Sequence, residues 1–464
     1  MSIPSFMAFS LPVLTGALII HLLWIGKNHP IDLILKLSLG IGMGLGISSL
    51  LYFIYLLFFA GKPYFLYVEF VLFLAVLIMV YLKNKKMAQI NSPRLSVSRL
   101  QIAVLMISGF VFVSSFLGVV NYARQRARGD WDAWMMYNRT ARFIYRSQET
   151  WRDAFSKDID LTFHADYPPL LSLNIASRWN ILSEETAYVP MFQSILFSFA
   201  CLGLSFGALA CLKSLGQAGL SLILLGGVSF FLHEGGRQLA DMPLAFYILA
   251  SVVFMFFYYQ EKRPALIAFA GLSAGLAAWT KNEGVLFLLV SGAVIVITEL
   301  RKRSFQSLYS YLIGLVFPLT IVLYFKLRLA PASEFLSGGT SKIIRDLMDL
   351  SRQQMIFSSF KNFFLHGGGW NNIGILLILC IYFLIFHSHI KDNPPVIFIG
   401  FTIFACQILG YYVFYLISPY DLEWHLSSSL DRLFVHVYPT ILFITLIASQ
   451  SPEDVFAKQN SSVG

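Results

Sequence analysis

MPLAFYILASVVFMFFYYQ, residues 242–260, decides the fold. No charged side chain interrupts it, and it is bracketed by polar flanks, HEGGRQLAD at 233–241 and EKR at 261–263. An α-helix rising 1.5 Å per residue carries this run across roughly 28 Å, which matches the ~30 Å hydrocarbon layer of a bilayer. The run is continuous and does not alternate over about ten residues, so a helix is expected and not a barrel strand.

Working outward, twelve further apolar runs fall at 6–26, 33–60, 64–82, 100–120, 188–210, 216–232, 264–280, 284–299, 307–329, 371–388, 395–418 and 432–449. Three of them, 216–232, 264–280 and 284–299, are short, so the count is about thirteen spans within a range of 11–14. The bulk numbers agree. Of 464 residues, 57% are hydrophobic and 13% charged, against roughly 25% charged in soluble domains. The 16% aromatic content suits membrane interfaces. The fold class predicted is all-α, a polytopic transmembrane helical bundle. Cys201, Cys211, Cys380 and Cys406 sit in or beside apolar runs without CxxC spacing and read as core or lipid-facing residues. The first run lacks a charged preceding region and a small-residue cleavage site, and is expected to be a retained helix.

Lys and Arg orient the bundle. Threading thirteen spans from an outer N-terminus puts Lys27, Lys83, Lys85, Lys86, Arg94, Arg99, Lys213, Lys262, Arg263, Arg301, Lys302, Arg303 and Lys391 on one side, the cytoplasm. The opposite face receives two long loops, 121–187 and 330–370, and short ones at 233–241, 281–283 and 419–431. Loop 121–187 cuts against the rule with Arg124, Arg126, Arg128, Arg139, Arg142, Arg146 and Arg152. Long loops translocate largely regardless of charge, and an amphipathic helix on the headgroups is the plainer account of these arginines. Eighteen of the 25 Asp and Glu belong to these outer connections. Transport proteins concentrate key ionisable residues at mid-membrane, so chemistry at the outer mouth of the bundle favours an enzyme over a conduction path.

Five segments are chemically dense. In GDWDAW (129–134), followed by YNRTAR (137–142), Asp130 and Asp132 lie beside two tryptophans shortly after a span. They could supply a general base, or cap a helix within an aromatic belt. In HADYPPLL (164–171) the proline pair forces an extended approach and then starts a helix; His164 and Asp166 are too few to make a metal site. In HEGGRQLADMPL (233–244) Asp241 is either a helix start or a second active-site carboxylate, with Arg237 supplying positive charge; HEGGR is not HExxH, so no zinc protease is implied. In WTKNEG (279–284) Lys281 and Glu283 either pair with each other or meet a lipid phosphate. In SPYDLEWHLSSSLDRL (418–433) Arg432 and Trp424 anchor at the interface, or Arg432 faces a phosphate.

Together these motifs resemble the GT-C class of membrane glycosyltransferases, nearest to the protein O-mannosyltransferase and aminoarabinose transferase branch (glycosyltransferase family 39-like). The GDWDAWMMYNRTAR stretch is similar to that family's first-loop acidic motif with its following Tyr and Ala-Arg. Asp241-Met242-Pro243-Leu244 is similar to its Asp-x-Pro-Leu, Gly275–Lys281 to its Gly-Leu-x-x-x-Thr-Lys, and Asp431-Arg432-Leu433 through Pro439 to its late Arg-Tyr-x-x-x-Pro. The order is kept over roughly 100–445. There are departures: the acids are separated by Trp131, three spans come before the one that leads into the acidic loop where the family has only that one, and no large C-terminal domain follows.

The resemblance divides the chain into three N-terminal spans (1–99), a GT-C-like catalytic module (100–330), a C-terminal membrane module (331–449) and a cytoplasmic tail (450–464). It implies transfer of a hexose or pentose from a polyprenyl-phosphate donor to a glycan, lipid or protein acceptor on the periplasmic face of a bacterial inner membrane. Membrane lipids are partners and nucleic acid is not. The implied roles are Asp132 as base, with Asp130 and Asp241 as the other acids; Arg237, Lys281, Arg432 and His425 for the donor phosphate; and Trp134, Tyr137, Asp166 and Glu283 lining the sugar or acceptor. No cofactor or bound metal is required, and a divalent cation is optional. A lipid-linked sugar flippase, or another polyprenyl-linked glycan ligase, is the alternative.

Overall fold

A computed structural model describes residues 3–24, 31–85, 97–159, 164–333, 335, 339–387 and 394–455. The orienting residues Lys27, Lys86, Arg94 and Lys391, the acids Asp160 and Glu334, and the tail beyond 455 lie outside the described residues. Among those described the secondary structure is helical, with no β-strand. Ten helices are long and apolar enough to cross a membrane: Ile3–Leu23, Asp32–Phe59, Phe65–Asn84, Arg99–Gln125, Tyr188–Leu212, Asp241–Glu261, Asn282–Lys302, Gln306–Arg328, Pro395–Leu416 and Leu422–Ala448. The chain is an integral, multi-pass helical membrane protein.

Three of the thirteen apolar runs take other forms, so ten stand as full-length spans, or eleven if the bent pair counts as one. The run at 216–232 is broken into Leu215–Gly226 and Ser229–Gly236, bent by 70°. Gly226 and Gly227 at the break leave carbonyls that a continuous helix would satisfy. The Gly226 carbonyl accepts from Ser115 Oγ at 2.6 Å, and that of Gly227 from the Trp370 indole at 2.7 Å, so the break is tolerated in an apolar setting. The run at 264–280 is a buried helix of 17 residues, and 371–388 yields a helix of 12, Ile375–Phe386. The latter loses its start to a tight turn at Trp370–Ile373 and covers only about 18 Å.

Asp241–Glu261 and Leu422–Ala448 form the centre of the bundle; 89% of each apolar window is buried by other helices, against 17% for Arg99–Gln125. The latter shows Phe110 and Leu117 outward, as a lipid-facing helix does. The N-terminal helices pack closely because small residues line their contact: a Cβ at Gly44 would come within 1.9 Å of the Pro12 carbonyl oxygen.

Segment 121–187 is more than a surface loop. Arg99–Gln125 runs five residues past the predicted end. A π-helical turn at Ala133–Tyr137 leads into Asn138–Ser147, and after Pro168-Pro169 the chain re-enters the bundle as Leu170–Leu182. That helix buries Asn174, Ser177 and Arg178. Arg178 donates to both oxygens of Glu69, to Ser48 Oγ at 3.0 Å and to the Ala8 carbonyl at 2.6 Å, fastening the N-terminal helices to the segment. The arginine excess is also partly neutralised on the spot. Arg142 and Arg146 pair with Glu185, and Arg126 with Asp130.

Candidate functional site: a charged and aromatic cavity at the end of the bundle

The five dense segments meet. A cavity of about 880 Å³ is lined by residues of 126–137, by His164 and Tyr167, by Arg237, by Lys281 and Glu283, and by residues of 414–433, with Phe335 joining from the second long loop. Its walls differ in chemistry. One carries Asp130, Asp132, Arg237, Lys281, Glu283 and Arg432; the other carries Phe335, Phe414, Tyr420, Trp424 and His425.

The charged wall is built around Asp241, the first residue of its helix and fully buried. Its Oδ1 accepts from Lys281 Nζ at 3.0 Å and lies 2.6 Å from His436 Nε2; its Oδ2 accepts from Arg432 at 3.0 and 3.3 Å. Arg432 reaches on to Asp132 Oδ2 at 2.6 Å, spanning 300 positions of sequence. Lys281 reaches on to Glu283 at 2.9 Å. Burial alone would lower the Lys281 ammonium, but Asp241 and Glu283 hold it above its ordinary value and keep it charged. His436 is one helical turn beyond Arg432, so both face the same carboxylate.

A second network holds the segment that carries the aspartates. Gly129 adopts φ +74°, and a Cβ there would sit 2.5 Å from that of Ala133, which a glycine alone accommodates. Gln238 donates to the Arg126 and Ala127 carbonyls, and the Asp130 amide donates to the Arg237 carbonyl at 3.2 Å. Asp130 has both carboxylate oxygens occupied, one by Arg126 and one by Arg237, and Arg237 also binds Glu234. Burial pushes the Asp130 carboxyl up, but the hydrogen bonds and charges of Arg126 and Arg237 outweigh it and hold it below the usual range. Asp132 differs: Arg432 takes Oδ2, and Oδ1 makes no hydrogen bond among the described residues.

Several of the expected residues lie elsewhere than at the cavity surface or are already engaged. Asp241 does not line the cavity; it lies behind the cations and fixes them. Trp134 is exposed away from the cavity while Trp131 lines it, because the π-helical turn begins between them and shifts the register. Asp166 lies off the cavity lining, accepting from Asn282 at 2.9 Å with Lys326 on its carbonyl at 2.5 Å. His425 bonds Ser418 at 2.8 Å and sits among aromatic rings, 4.8 Å from Tyr415 and 5.7 Å from Phe414 between centroids, so it belongs to the aromatic wall. Arg237 lines the cavity but is clamped by two carboxylates. Among the described residues no three His, Cys, Asp or Glu converge as a metal set.

The aromatic wall is held from behind by Arg352. Its guanidinium donates to the carbonyls of Tyr415, Leu416 and Ser418 at 3.0–3.1 Å. A cation on the last carbonyls of a helix is a favourable cap, and it fixes the turn that leads to Tyr420 and Trp424.

His436, Phe335 and Phe414 were not singled out from sequence. His436 sits inside an apolar run, and its only signal is the i, i+4 spacing from Arg432. No family model, no curated protein and no solved structure matches this chain.

Proposed function

We propose that the protein is a membrane glycosyltransferase that moves a sugar from a polyprenyl-phosphate donor to an acceptor hydroxyl, with inversion at the anomeric carbon. The observation that carries this reading is the hydrogen-bonded chain Asp132–Arg432–Asp241–Lys281. It joins the four separate motifs that resemble the GT-C class and sets a carboxylate and two cations along one cavity.

The chemistry asks for little more. The leaving group is a phosphate, which needs positive charge and N–H donors more than a general acid. Arg432 commits three N–H groups of five to carboxylates and Lys281 two of three, so both retain donors for phosphate oxygens. Held by Asp241, they are in position before substrate arrives. Asp132 Oδ1 takes the acceptor proton as the acceptor oxygen bonds to the anomeric carbon. The bond from that carbon to the phosphate oxygen breaks, and its electron pair leaves with polyprenyl phosphate. Asp130 is the poorer base, since both its oxygens are occupied and its carboxyl is held low. The aromatic wall suits a sugar face or the first isoprene units. The reading puts the cavity on the periplasmic face of a bacterial inner membrane.

The test is the stereochemistry of transfer. Purified protein is given a polyprenyl-phosphate sugar of known anomeric configuration with a panel of glycan, lipid and peptide acceptors, and the product anomer is read by NMR. An inverted product is expected; a retained configuration rules out the single displacement.

A further inference from the structure

Two polar atoms at this cavity are buried without a hydrogen-bond partner, Tyr137 Oη and Glu283 Oε2. Both residues line the cavity and both are more than nine-tenths buried. A buried polar group left unpaired is uncommon and calls for an explanation. Neither atom satisfies the other. Each is held in place by its neighbours. Lys281 fixes the other oxygen of Glu283, and Ser172 Oγ donates to the Tyr137 carbonyl at 2.9 Å. Tyr137 closes the π-helical turn, a feature that is frequent at functional sites.

The two atoms are chemical complements of one hydroxyl group. A carboxylate only accepts, whereas a phenol donates or accepts. A substrate hydroxyl can donate to Glu283 Oε2 while accepting from Tyr137 Oη. Glu283 shares Lys281 with the phosphate-binding end of the cavity, so a hydroxyl here lies beside the phosphate, where the donor's sugar ring would be.

We infer that Tyr137 and Glu283 form the subsite that recognises a hydroxyl of the donor sugar and so select which polyprenyl-phosphate sugar is used. The inference rests on the transferase reading above. Other hydroxyl-bearing positions of the ring meet the aromatic wall, which supplies contact area and little discrimination.

The experiment titrates full-length protein in detergent, without acceptor, with a polyprenyl-phosphate hexose and with bare polyprenyl phosphate, read by native mass spectrometry. Tyr137→Phe removes one unpartnered atom, so its melting temperature stays at or above that of the wild type. Binding of the sugar-bearing lipid weakens about 3- to 10-fold in Tyr137→Phe and about 10- to 100-fold in Glu283→Gln. Binding of the bare lipid stays within about twofold for Tyr137→Phe. A donor lacking the recognised hydroxyl binds wild type and Tyr137→Phe equally. If the wild type prefers the sugar-bearing lipid and Tyr137→Phe keeps that preference for every deoxy donor, the pair holds water only and the inference is overturned while the transferase reading stands. A wild type that binds neither lipid overturns the transferase reading and the inference with it.

Discussion

Replacing Asp241 by Asn tests whether one buried carboxylate organises the cavity. The side chain keeps its size but loses its charge, and one oxygen becomes an amide donor. Whichever way the amide turns, it opposes either Arg432 or Lys281, and His436 loses an ionised partner. Removing one member of a buried ion pair costs about 3–5 kcal/mol, because the remaining charge stays buried without compensation. Here the lower figure applies. Arg432 retains Asp132 and Lys281 retains Glu283, so neither cation is orphaned. A loss of about 3 kcal/mol corresponds to roughly a hundredfold in the folded-to-unfolded ratio. Unfolding in mixed detergent–SDS micelles, followed by tryptophan fluorescence, measures it. A cycle with Arg432→Gln should return a coupling of at least about 1 kcal/mol between the two sites. An Asp241→Asn protein that unfolds with the wild type, or a coupling near zero, would refute the idea that Asp241 fixes the cations.

Other outcomes follow from groups away from that network. Arg178→Met leaves Glu69 buried without a countercharge, with Ser48 Oγ as its remaining donor, and should cost about 3–5 kcal/mol in the same unfolding assay, whereas Arg178→Met with Glu69→Leu should recover most of it; a double variant as unstable as the single one contradicts this. The carboxyls of Asp130 and Glu185 are held below their ordinary values of 3.8 and 4.5, since their arginine partners outweigh burial. A depressed folded value means stability that is present above the ordinary value and is lost as pH falls through the depressed one. The docking of segment 121–187 should therefore loosen on acidification from about pH 4.5 downward, read from the fluorescence of Trp131 and Trp134. Asp130→Asn should lower the stability of the segment at neutral pH and flatten that acid transition; an unchanged acid transition would count against the pairing.

What the sequence reveals depends on whether the deciding physics is local. The run at 242–260 is legible as a span because length and apolarity suffice. The runs at 216–232 and 371–388 are not, because hydropathy does not register a break whose carbonyls are capped from afar by Ser115 and Trp370, or a tight turn within apolar sequence. Leu170–Leu182 reads as part of an outer loop because Asn174, Ser177 and Arg178 are polar; the burial of Arg178 depends on Glu69 and Ser48, over a hundred positions away. At the site, Asp132 is legible as an acid shortly after a span and Lys281 and Arg432 as cations at span ends, all assigned to one face by the threading; that they meet in one cavity depends on helix packing, which hydropathy does not register. The role of Asp241 is not legible, because an acid at a helix start reads the same whether it faces a cavity or lies behind two cations. Trp131 lines the cavity where Trp134 is expected, with a π turn starting between them that α-helical spacing does not anticipate.

The central claim is that Asp132 takes a proton during transfer from a polyprenyl-phosphate sugar. The measurement is release of free polyprenyl phosphate by purified protein with a panel of such donors and acceptors, for wild type and for Asp132→Asn, with donor binding measured alongside. The account predicts release by the wild type, a fall of about 100-fold or more in the variant, and donor affinity within a few-fold. Release that survives in Asp132→Asn contradicts the assignment of the base. Tight donor binding with no release from any donor, together with movement of the donor between the leaflets of proteoliposomes, contradicts the transferase and makes the protein a flippase.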